Sequence, residues 1–209
     1  MTPEEFAEAV RTDNETALSR LDSPKALYAD TEGAMGAEAV LRAAATAAFH
    51  ARESFEGWVD DETNDDAAEA FETTAAEEGE HYGLVTGEVA GEHEPGETPA
   101  LQESLRTQTD TIGRAGAFLG WAMVSDRSTG RRTGFFVDEA DTDGTDLFRE
   151  IGDDTEAQLT RARDLLGEVC AEPADWERAG EAANDAIGAA HDEYIETLTE
   201  MDENPELTS

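Results

Sequence analysis

The feature that most limits what this chain can become is the spacing of its apolar residues. They recur every three or four positions through long stretches, and no strict alternation interrupts them. Val40, Leu41, Ala44, Ala48, Ala51, Phe55 and Trp58 fall on one helix face. Asp60 to Asn64 is a short polar turn, so the next helix should fold back antiparallel, with Ala68, Phe71, Ala75, Glu78, Tyr82 and Val85 on its stripe. Gly91 to Pro99 is a loop of turn-forming residues. Thr98-Pro99 then restarts a helix carrying Leu101, Leu105, Ile112, Ala115, Leu119 and Met123.

A break is expected from Ser125 to Arg132, then a short helical piece at Phe135-Phe136-Val137 and a loop from Asp141 to Thr145. Two long helices follow. One carries Leu147, Phe148, Ile151, Thr155, Gln158, Ala162, Leu165 and Val169; the other opens at Pro173 and carries Trp176, Ala179, Ala183, Ile187, Ala190, Tyr194 and Leu198. At the front, Thr2, Pro3 and Glu5 read as a capping box that opens a helix over 3–21, with a loop from Asp22 to Gly36. The expected fold class is all-α. It is a single helical domain over 1–209, with a bundle core at about 36–170 and helices 3–21 and 173–202 packed on it.

Charge narrows the setting. There are 51 acidic and 14 basic residues, a formal net charge of -37, and Lys25 is the sole lysine. Such a chain repels itself in dilute buffer. At roughly molar salt the Debye length shrinks to about 3 Å and the repulsion fades. The composition therefore reads as that of a protein from a salt-in halophile, whose carboxylates hold water and cations at the surface. Phosphates would meet a strongly negative surface, so no nucleic-acid partner is expected. The N-terminus lacks a basic, then apolar leader, and no apolar run approaches membrane-spanning length. A cytoplasmic protein with no membrane partner is expected. Cys170 is the only cysteine, which excludes a disulfide framework or a thiolate zinc cluster within the chain.

The sharpest local signal is Glu78-Gly79-Glu80-His81. A Glu and a His three residues apart share a helix face, and in a bundle both can reach one metal. Glu78 also lies on the apolar stripe, where an ionised carboxylate is costly unless a cation or donor meets it. Arg127, Arg131 and Arg132 form the only basic cluster. They could bind a phosphate or an acidic partner, or pair with neighbouring carboxylates.

The segment from Ala70 to Tyr82, AFETTAAEEGEHY, resembles the second bundle helix of the rubrerythrin branch of the ferritin-like family, and Phe148 to Gln158, FREIGDDTEAQ, resembles the fourth. The resemblance implies an antiparallel four-helix bundle. In that family two irons are held by a Glu-x-x-His on each of two helices and a single Glu on each of the other two. They serve peroxide reduction, oxygen chemistry or iron oxidation. Carried onto this chain, Glu78 and His81 match the first Glu-x-x-His, whereas the fourth-helix positions hold Thr155 and Gln158, inward polar counterparts rather than ligands.

On the first helix, turn geometry sets the level of Glu78 near positions 45–48, which offer only Thr46 among alanines. Glu53 and His50 are possible helpers. The third helix has no Glu between Glu103 and Glu139, leaving Asp126 as the remaining helper. A single cysteine cannot build the separate rubredoxin-like iron centre that rubrerythrins use.

The expected function is a ferritin-like bundle with a lost or weakened di-iron site, with no cofactor, or iron if the site works, and with a homo-oligomer, a dimer, as partner. Two alternatives stand beside it. One is a working metal-binding oxidoreductase; the other is a non-catalytic bundle for partner binding or self-assembly, in which Glu78, His81, Thr155 and Gln158 form a buried hydrogen-bonded cluster.

Overall fold

A computed structural model describes residues 1–201. Its helices are α1 (Pro3–Asp13), α2 (Glu15–Leu21), α3 (Pro24–Asp30), α4 (Ala37–Asp61), α5 (Asp65–Glu88), α6 (Ala100–Arg106), α7 (Thr111–Asp138), α8 (Thr142–Val169) and α9 (Pro173–Glu200). The described residues contain no strand. No helix among them is long and apolar enough to cross a membrane.

Two antiparallel hairpins, α4–α5 and α7–α8, pack on each other chiefly through α5 and α8. Their relative direction is fixed at one end by a carboxylate. Glu62 follows α4, takes up the backbone N–H groups of Thr63 and Asn64, and accepts from Thr111 (2.7 Å) and Arg114 (3.1 Å) at the start of α7. Its side chain and that of Arg114 are only 2% and 7% exposed, so the pair is buried. This pins the start of α7 to the α4–α5 turn. It follows that α5 and α7 run the same way, and that the segment from 89 to 110 must cross the length of the bundle. Asn64, Asp110 and Asp141 cap α5, α7 and α8 through side-chain acceptors.

The interior has two apolar parts. At the turn end Phe55 packs edge-on against Trp58, Phe118 and Trp121, with Phe71 beside them. Each such buried ring contributes about 2–3 kcal/mol. At the far end Val40, Leu41, Val85, Phe136, Phe148 and Ile151 form a second cluster. There the Phe136 ring lies so close to Gly144 that no Cβ would fit.

The helix α9 lies along α7 and parallel to it. Gly116 meets Ala179 and Gly120 meets Ala183, where an added Cβ would overlap backbone atoms of α9. Arg178 also clasps Asp110 at the start of α7.

Several boundaries differ from the sequence reading. The expected helix over 3–21 is two helices broken at Asn14, whose amide bonds the Val10 carbonyl and Asn184 of α9. The expected loop from Asp22 to Gly36 contains α3. The helix expected to run from Pro99 to Met123 is interrupted at 107–110. No break falls at Ser125 to Arg132, because α7 continues to Asp138 and absorbs the Phe135–Val137 piece. Tertiary contacts hold that stretch straight. Thr129, Arg131 and Arg132 are buried, and Arg127 and Arg131 pair with Asp22 and Asp30 at the ends of α2 and α3. The arginine cluster thus docks the N-terminal helices. The last expected helical residue, Asp202, lies outside the described residues.

Candidate functional site: a charged belt between α5 and α8

Glu78 and His81 are both buried on the α8-facing side of α5, 6% and 3% exposed. The imidazole is clamped from two sides. Nδ1 lies 3.0 Å from Glu78 Oε1, one turn back on the same helix, and Nε2 lies 3.1 Å from Asp154 Oδ2 on α8. Burial opposes a charge on the ring, but the hydrogen bonds and charges of Glu78 and then Asp154 outweigh it and raise the pKa to about 9. At neutral pH His81 is therefore an imidazolium that donates through both nitrogens.

The belt continues along α8. Gln158 Nε2 donates to Glu78 Oε1 and Glu77 Oε2, each at 3.0 Å. Arg161 grips both oxygens of Glu77 at 2.6 and 2.8 Å and also reaches Thr74 Oγ1. Asp154, Gln158 and Arg161 recur at helical spacing, so one face of α8 supplies them all. Arg132 enters from α7. Its side chain is buried, and burial lowers its pKa to about 10 against the favourable charges of Asp30 and Glu78.

The sequence-predicted residues divide clearly. Glu78, His81 and Gln158 come together. Thr155 is buried on the same face of α8, but its hydroxyl turns back to the Ile151 carbonyl at 2.8 Å. The three helpers do not join them. Glu53 is exposed, with Arg52 3.8 Å away, and Asp126 is exposed on α7. His50 is buried, but its Nε2 faces the Gly96 carbonyl at 3.1 Å in the crossover segment. The reason is its place in a stripe spaced by four along α4, Glu38, Arg42, Thr46, His50 and Ser54, which carries that segment.

The expected level of Glu78 on α4 also shifts. Phe49 meets the Tyr82 ring at 5.6 Å and Arg52 lies against Gly79, so Glu78 and His81 are level with about 50–53 rather than 45–48. Sequence reasoning did not include Glu77 in the site, and it passed over Asp154 and Arg161. Their common signal was a second stripe on α8, polar and set beside the apolar one.

An iron centre does not fit these residues. A ligating histidine presents a neutral nitrogen lone pair to the metal, whereas both ring nitrogens of His81 face carboxylates. The Gln158 amide turns its NH2 group, not its oxygen, to Glu78, and Arg132 already brings a positive charge to the interior. Among the described residues, no group of three or more His, Cys, Asp or Glu is arranged to hold a metal ion.

What the belt does chemically is neutralise itself. It joins two hairpins by charge-assisted hydrogen bonds between groups that belong to the chain. No family model, curated protein or solved structure matches this chain.

Proposed function

We propose that this chain is a non-catalytic bundle protein with a ferritin-like framework, in which a polar core has taken the place of a di-iron centre and the molecule works through association, first of all with a second copy of itself. The observation that carries this reading is the double clamp on His81, which leaves neither ring nitrogen for a metal. The helix order supports the framework, since two antiparallel hairpins joined by a long crossover, with α5 and α7 parallel, are compatible with the resemblance of residues 70–82 and 148–158 to rubrerythrin helices. The acidic composition supports a role in a salt-rich cytoplasm.

Two measurements test it. Long-range nitrogen–proton NMR at pH 7.5 in molar potassium chloride should report His81 protonated at both ring nitrogens. Natively purified protein should carry less than one iron, manganese or zinc per chain and run as a dimer in light scattering. A neutral His81 ring together with two tightly held irons would return the chain to the oxidoreductase reading.

A further inference from the structure

The crossover segment 89–99 is tied to the outer face of α4 by side chains four residues apart. Glu38 accepts from the Ala90 N–H at 3.2 Å. Arg42 donates to the carbonyls of Ala90 (2.6 Å) and Glu92 (3.3 Å). Thr46 Oγ1 lies 3.3 Å from His93 Nε2, and His50 Nε2 donates to the Gly96 carbonyl at 3.1 Å. Beyond the segment, Arg106 of α6 closes the stripe on Ser54 at 3.0 Å. The His93 ring covers Tyr82, with 5.8 Å between centroids, and Tyr82 is the residue after His81. The segment therefore covers the α4 side of the α4–α5 hairpin at Tyr82.

One contact in this row depends on protonation. His93 Nδ1 is buried without a hydrogen-bond partner. The neutral ring tolerates this if Nε2–H donates to Thr46 and Nδ1 keeps only a lone pair. A proton added at Nδ1 would point into a site with no acceptor.

The groups around the ring do not relieve it. From α4 come the Arg42 cation and the Thr46 hydroxyl, and from α5 the Tyr82 ring. Within the segment, Glu92 and Glu94 are exposed and screened by salt. Glu38 is held ionised, chiefly by the Ala90 N–H and then by Arg42, so the Arg42 charge stays in place. Burial and that charge lower the His93 pKa.

We propose that residues 89–99 form an acid-released strap, closed on α4 while His93 is neutral and freed when His93 takes up a proton. Release would uncover the Phe49–Tyr82 ring pair and the polar stripe of α4, and it requires no metal and no ligand.

The sign is fixed by linkage. The closed strap holds His93 below its ordinary value, so acid favours the open state. Between the free-histidine value near 6.5 and the depressed value, the opening equilibrium should grow by up to about tenfold per pH unit.

Hydrogen exchange by mass spectrometry, corrected for the intrinsic pH dependence of exchange, tests this on the full chain in molar potassium chloride between pH 8 and pH 5. Amides in 89–99 should lose protection on acidification while α7 and α8 keep theirs, and His93→Gln, which keeps a neutral donor toward Thr46, should abolish the dependence. Strap protection that is flat with pH overturns the proposal. So does a pH dependence that survives in His93→Gln, or a loss of protection spread equally over α7 and α8.

Discussion

Two of the interfaces between the long helices work by opposite means. Between α7 and α9 the contact is made by the absence of side chains. Gly116 and Gly120 admit the backbone around the buried Ala179 and Ala183, and the stabilisation is close dispersion contact. Between α5 and α8 the contact is made by side chains that carry charge, with Arg161, Gln158 and Asp154 meeting Glu77, Glu78 and His81. The glycine seam tolerates no added atom and itself carries no charge, the Arg178–Asp110 pair lying at its end. The belt can absorb a change of shape, and its strength is set by protonation and screening. In a chain of net charge -37, these are different answers to the same problem of holding helices together.

The widest separation of the two should come from removing salt. Going from roughly molar to about 10 mM salt lengthens the Debye length from about 3 Å to about 30 Å and restores repulsion across the acidic surface. Cooperative structure should be lost, as followed by far-UV circular dichroism. Because attraction between opposite charges strengthens as screening falls, amide exchange should show the belt contacts between α5 and α8 outlasting the uncharged α7–α9 seam. Full retention of folding and heat stability in dilute buffer would refute the halophilic reading.

Next in size is Gly116→Val. It drives a branched side chain into α9 and should cost about 4 kcal/mol, near the upper end for one substitution. Thermal unfolding in molar salt reads it, and a loss under about 1 kcal/mol would mean that α7 and α9 do not meet backbone to backbone at Gly116.

Glu78→Gln keeps the shape of the belt but removes the charge that His81 and Gln158 meet. A loss of about 2–3 kcal/mol is expected from denaturant unfolding at pH 7. A pH series isolates the histidine. Its folded pKa of about 9 lies above the unfolded value, so its contribution is complete below about pH 6.5 and is lost as pH rises through 9. Roughly 2–3 kcal/mol should disappear over that window in the native chain and not in His81→Gln. A stability that is level from pH 6 to pH 9.5 would show that the ring is neutral and the clamp is only geometric.

The smallest effect is a gain. Gly188 lies on α9 with open space around its Cα, unlike the seam glycines. Gly188→Ala should add about 0.5–1 kcal/mol through helix propensity alone. Opposite signs at Gly116 and Gly188 would confirm that proximity, not glycine as such, defines the seam.

Sequence alone determined that the chain is helical, where the long stripes run, and that Glu78 and His81 share one buried face. These follow from local periodicity, which a row of residues carries by itself. The bounds of α4, α5 and α9 were legible for that reason.

Tertiary structure alone decided the rest. Arg131 and Arg132 looked like a helix break until burial and Asp30 held α7 continuous, because an unfavourable local sequence yields to fixed partners. His50 looked like a helper to Glu78, yet it faces Gly96, since the side of α4 it serves is set by where the crossover runs. Glu78-x-x-His81 is the same four letters whether it holds a metal or forms an ion pair. What separates the two is the atom opposite Nε2, and Asp154 stands 73 residues further along the chain. That distance in sequence is why the chemistry of the motif had to wait for the fold.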